Sequence, residues 1–179
     1  MISADLGYMN NTFVSLRANA TDSEGNSVSQ TVIKGFYVSE KIESIFDTEA
    51  PDNPYPSILG NHTGTITPNA DITVSKLYTY PCAGTGGHAK YAAISYSNGT
   101  IIAEAHWNGY VEDWHNISFD SSFTLEEGET YNYTIHTGSY PQIIHESPFN
   151  ATGGKITCTN FTDANGVIHY GWIPAIRLE

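Results

Sequence analysis

The chain has 179 residues, enough for one well-cored domain and too few for a large multidomain enzyme. Its 19 acidic residues against 7 Lys+Arg give a formal charge of −12, which leaves no basic stripe for nucleic-acid phosphates. Hydrophobic residues make up 40% and charged residues 15%, and 19 Thr, 16 Ser and 14 Asn supply most of the wettable surface, so charge-driven disorder is excluded. There is no run of 18 apolar residues, and the opening MISADLGYMNNT lacks the basic and apolar regions of a signal peptide. This segment is therefore expected not to insert into a membrane, and its ends read as cuts from a longer chain with neighbouring domains.

In chain order, TFVSLRANA over residues 12–20 alternates, placing Val14, Leu16 and Ala18 on one face. The turn signal Asp22-Ser-Glu-Gly25 follows, and SVSQTVIKGFYV then suits a second strand. Residues 1–38 thus predict a hairpin, and ATDSEGNSVSQTV resembles the closing hairpin of an immunoglobulin-like or PKD-like repeat of cell-surface proteins. Residues 39–60 carry three prolines and little periodicity and predict a linker, with a short helical or extended start at 41–46.

Within 61–179, strands are predicted at 72–80, 89–96, 100–107, 115–119, 130–137, 142–146, 155–161 and 172–178. They are punctuated by Ser97-Asn98-Gly99, Asn108-Gly109, Glu127-Gly128, Thr152-Gly153-Gly154 and Asp163-Ala-Asn-Gly166. The pattern predicts an all-β fold, an antiparallel β-sandwich of jelly-roll-like type preceded by the immunoglobulin-like β-hairpin. Alternation further predicts that Tyr131, Tyr133 and Ile135 face the core while Asn132, Thr134 and His136 face outward, and that Glu104 and His106 share an outer face.

Eight Asn-x-Ser/Thr acceptors start at Asn10, Asn19, Asn61, Asn98, Asn116, Asn132, Asn150 and Asn160. Chance pairing of these residue types gives about 2.7, so the excess predicts a glycosylated, extracytoplasmic surface. Strand-rich chains full of Thr and Asn also generate unused acceptors. Cys82 and Cys158 are the only cysteines and form no CxxC pair, which excludes zinc-ribbon and thioredoxin-like motifs. In an oxidising compartment they predict one disulfide, worth about 4.5 kcal/mol by loop entropy. Two unrelated buried thiols, or a catalytic Cys82 with His88, are the competing readings.

Trp107, Tyr110 and Trp114 flank the Asn108-Gly109 turn and suggest an aromatic platform for sugar rings; the competing role for these rings is core packing. Seven His raise the question of a metal, with Glu104 and His106 at strand spacing and His88, His115, His136 and His145 reachable only through the fold. No HExxH or HxH occurs, so the metal assignment stays open. No cofactor is expected, calcium being the one candidate through Asp113, Asp120 or the Asp163–Gly166 loop, where a plain turn is the alternative. No GxSxG elbow or P-loop spacing is present, and the glycines of 84–87 read as a flexible loop.

The strings YTYPCAGTGGH, AHWNGYVEDWHNISF, GETYNYTIHTGSYPQIIHE and WIPAIRL together resemble a β-rich module of archaeal secreted or surface-layer-associated proteins that carry PKD-like repeats. The resemblance spans residues 46–178 and implies an archaeal cell-surface setting; it carries no catalytic residues to transfer. The expected function is a non-catalytic extracellular module serving adhesion, envelope structure or glycan contact, its partners being envelope or extracellular glycans. A dedicated carbohydrate-binding module is the first alternative, and a metal- or carboxylate-dependent hydrolase the second.

Overall fold

The computed structural model describes residues 12–38, 44–109 and 115–179. The chain divides into two compact units, Met1–Ile42 and Glu43–Glu179. In the first, β1 (Thr12–Thr21) and β2 (Ser27–Val38) form the expected hairpin, in register from Thr12↔Val38 to Thr21↔Ser27 with one irregularity near Val14. Asp22 shapes its turn: Oδ1 accepts the Glu24 and Asn26 amides at 2.9 and 2.8 Å.

The second unit contains β3 (Phe46–Asp47), β4 (Gly60–Pro68), β5 (Ile72–Thr79), β6 (Ala89–Tyr96), β7 (Ile101–His106), β8 (Asn116–Leu125) and β9 (Tyr131–Thr137). It continues through β10 (Ile143–Ile144), β11 (Phe149–Ala151), β12 (Gly154–Asp163), β13 (Ile168–His169), β14 (Ile173–Pro174) and β15 (Ile176–Leu178). One 11-stranded sheet runs β11-β12-β4-β9-β6-β7-β8-β5-β15-β3, with β13 also on β12, while β10 and β14 pair separately. Every pairing is antiparallel, and no helix occurs among the described residues, so the all-β antiparallel expectation is met.

The sheet has two weak corners. At one, β7 and β8 share the single pair Ala105↔Phe119. At the other, the first and last strands meet where Asp47 and Thr152 exchange both amide hydrogen bonds, at 3.0 and 2.8 Å. Between these corners the two halves of the sheet enclose one core, because side chains alternate and the apolar set of every strand points the same way. Tyr131, Tyr133 and Ile135 of β9 belong to one buried cluster with Ile66, Ile94 and Ile156 from one half and Val74, Leu77, Ile117 and Leu178 from the other. Each such large apolar side chain contributes about 1.5–3 kcal/mol on burial.

Two expectations are corrected here. The segment 39–60 is not a linker throughout: the second unit begins at Glu43, Phe46 is fully buried, and β3 pairs with β15. The Thr48 hydroxyl, 4% exposed, donates to the Ile176 carbonyl at 3.1 Å and accepts its amide at 2.9 Å, stitching the supposed linker into the sheet seam. The disulfide is also absent, since Cys82 and Cys158 are both free thiols. Cys82, after β5, turns its thiol to the Pro141 carbonyl at 3.2 Å. Cys158 sits at an irregularity of β12 opposite Gly64, with its amide on the Ser147 hydroxyl at 2.8 Å, so each cysteine is held by its own neighbours.

Candidate functional site

The acceptor asparagines follow from strand alternation. Asn61, Asn132 and Asn160 lie on three adjacent strands, β4, β9 and β12, on the face away from the core, where Thr63, Thr65, Thr134 and Thr157 also lie. Thr65 and Thr157 share a hydroxyl hydrogen bond of 2.7 Å. Asn19, Asn98 and Asn150 are exposed, and Asn61, Asn116, Asn132 and Asn160 are half-buried; Asn10 lies outside the described residues. None of the seven described is buried.

The aromatic platform is described only at Trp107, because Tyr110 and Trp114 lie outside the described residues, as does Asp113. Trp107 does not stand free as a platform ring. It is half-buried, packs on the core cluster and stacks on the buried His88 at 4.2 Å, with its indole nitrogen out of contact with solvent. In the neighbouring loop Gly87, at φ 52, lies so close to Pro81 that an added Cβ would fall 2.2 Å from the Pro81 Cβ, while Gly84 is exposed with open space around it. Burial, then Lys90 and His115, hold the His88 imidazole below its ordinary range.

Histidines expected as metal candidates are distributed among aromatic neighbours. On the outer face, Tyr91 lies between His106 and His136 at 5.1 and 5.2 Å, and its hydroxyl donates to Glu104. That hydrogen bond, with burial second, pushes the Tyr91 phenol up to about 12. His115 lies edge-on to Tyr78 at 5.7 Å. Among the described residues, no group of three His, Cys, Asp or Glu is placed to hold a metal ion. In the candidate calcium loop, Asp163 Oδ1 accepts the Asn165 and Val167 amides at 2.8 and 2.9 Å, and Oδ2 meets His169 at 3.0 Å, which is the plain-turn alternative. His169 foremost, with the two amides, holds the Asp163 carboxyl below its ordinary range.

A second aromatic assembly was not legible in the sequence, because its members come from positions far apart in the chain. His62 of β4 stacks on Phe161 of β12 at 4.0 Å and 7°. Phe161 stacks in turn on His169 and Trp172, which lie 4.1 Å from each other, and His145 meets Trp172 edge-on at 4.6 Å. His62 is 0% exposed and neither ring nitrogen has a hydrogen-bond partner among the described residues. Burial, reinforced by His136 and opposed by the Trp172 backbone, pushes its pKa down to about 3, so the ring is neutral.

An open groove of about 530 Å³ lies beside the sheet seam, between residues 48–53 on one side and Ile144, His145, Glu146 and Phe149 on the other. Near the same seam, Tyr80 and Asp47 form an ionisable pair. The Tyr80 hydroxyl donates to Asp47 at 2.8 and 3.1 Å, and burial first, then Asp47, push it up to about 12. No family model, no curated protein and no solved structure matches the chain.

Proposed function

We propose that this chain is a non-catalytic, N-glycosylated module displayed on an archaeal cell surface, where it serves envelope structure or adhesion through contact with extracellular glycans. The observation that carries the reading is the placement of the acceptors: Asn19, Asn98 and Asn150 are exposed, as sugar attachment requires, and none of the seven described asparagines is buried. The non-catalytic part of the reading is supported by Tyr80, Tyr91, Asp163 and His169, whose polar groups are engaged with Asp47, Glu104 and one another. Neighbouring domains of a longer chain and envelope glycans are the partners it implies.

Treating intact cells that make the protein with a membrane-impermeant amine reagent tests this. The exposed Lys76, Lys90 and Lys155 should be modified without lysis. Modification only after lysis would overturn the surface assignment.

A further inference from the structure

We infer that Asn98 is the principal glycan acceptor of the folded chain, with Asn150 and Asn19 next, and that Asn61, Asn116, Asn132 and Asn160 stay bare. The inference rests on the proposed export and glycosylation of the chain and assigns the sites at which a lipid-linked sugar donor is used. In that transfer the asparagine Nδ2 attacks C1 of the sugar. An N–C1 bond forms as the C1–O bond to the lipid phosphate breaks; the lipid phosphate leaves with the electron pair and Nδ2 gives up one proton. The acceptor must therefore present Nδ2 outward, on chain that a transferase can surround.

Asn98 meets this demand in the turn between β6 and β7. Gly99, at φ 86, reverses the chain, and the turn is closed by Gly99 N–H to Tyr96 O and Tyr96 N–H to Thr100 O, both 2.9 Å. The Asn98 Oδ1 accepts the amide of Thr100, the third residue of its own acceptor triplet, at 2.9 Å. The oxygen is thereby fixed inward and the amide nitrogen is turned out, with no hydrogen-bond partner among the described residues. Every residue from Tyr96 to Ile101 is exposed, so the approach is open.

Asn150 is exposed on β11, a three-residue strand paired along its length with β12 alone. Asn19 is exposed on β1, but the hydroxyl of its triplet partner Thr21 is shared with Ser27 at 2.8 Å. The remaining four are different. Asn61 and Asn132 belong to strands paired on both sides, and the Asn132 Nδ2 already donates to the Tyr96 carbonyl at 3.1 Å. The amide oxygens of Asn61 and Asn116 are out of contact with solvent. Asn160 adjoins the irregularity in β12, its carbonyl accepting the Thr63 hydroxyl at 3.2 Å. A transferase would reach these only after local opening of the sheet.

The test is to incubate the folded chain with a purified single-subunit oligosaccharyltransferase and its lipid-linked sugar, alongside a mixture of short peptides carrying the seven acceptor triplets. Site occupancy is read by mass spectrometry of proteolytic fragments. In the folded chain Asn98 should fill first, and Asn98→Gln should remove the largest share of attached sugar. The four half-buried sites should lag it by about tenfold or more, as expected when access needs local unfolding, and that lag should be absent among the peptides. Two or more half-buried sites filling as fast as Asn98, or the same ranking in folded chain and peptides, would overturn the assignment. Failure of the surface labelling with this folded-chain ranking intact would remove the surface reading and leave the ranking standing.

Discussion

Lowering the pH from 7 to 5 presents His62 with a proton that burial disfavours and that only the Trp172 backbone helps to hold. The imidazole is completely enclosed, stacked on Phe161, and lacks a hydrogen-bond partner among the described residues. In the unfolded chain the same ring titrates near 6.5, and in the fold near 3. The unfolded state therefore binds the proton first. Stability is fully present above about pH 6.5 and is lost as pH falls toward about 3. At pH 5 the loss is about 2 kcal/mol, from one and a half pH units at about 1.36 kcal/mol each, and near pH 3 it approaches about 5 kcal/mol. Against a typical total of about 5–15 kcal/mol this is a large share. His88, also held below its ordinary range, contributes in the same direction, so the informative quantity is a difference between chains. His62→Phe keeps an aromatic ring on Phe161 and removes the titrating group. Urea unfolding at both pH values should show the variant losing about 2 kcal/mol less than the parent between pH 7 and 5. Equal losses in parent and variant would refute the reasoning, whatever the variant's stability at pH 7.

Trp107→Ala should cost about 2–4 kcal/mol, because the ring packs on the core and on His88; a change within about 0.5 kcal/mol would mean that it is an exposed platform ring after all. Gly64→Ala should cost about 3 kcal/mol in chemical denaturation, since an added Cβ would fall 1.9 Å from the Thr157 carbonyl oxygen and 2.7 Å from the Tyr133 ring. Thiol titration of the unfolded, unreduced chain should find both Cys82 and Cys158 reactive. A chain that becomes reactive only after reduction would restore the bridge that the sequence suggests.

Legibility in the sequence tracked alternation. The face assignment for Tyr131, Tyr133 and Ile135 holds because β9 carries apolar residues at every second position. The turns at Gly99, Gly109, Gly128, Gly153 and Gly166 hold because each needs a positive φ. β4 escaped notice although it lies inside the sheet, between β12 and β9. Its inward residues are His62, Gly64, Ile66 and Pro68, and only Ile66 reads as an apolar strand residue. Gly64 is small because Tyr133 occupies the space over it, a relation between strands that no local pattern reveals. The His62–Phe161–Trp172 stack is invisible for the same reason, being assembled by β4, β12 and the chain after β13. The expected disulfide came from compartment and cysteine count, neither of which says where a thiol points. At the acceptor asparagines the sequence supplies the motif, and only the hydrogen bonds of Asn98 and Asn132 separate an available nitrogen from an occupied one.

The mass of the intact chain recovered from the surface of the cells that make it bears most directly on the central claim. A surface glycoprotein module should exceed its polypeptide mass by whole sugar units, and proteolysis should place the largest share on the peptide containing Asn98. A chain from those cells at its bare polypeptide mass, with Asn98 and Asn150 unmodified, would contradict it.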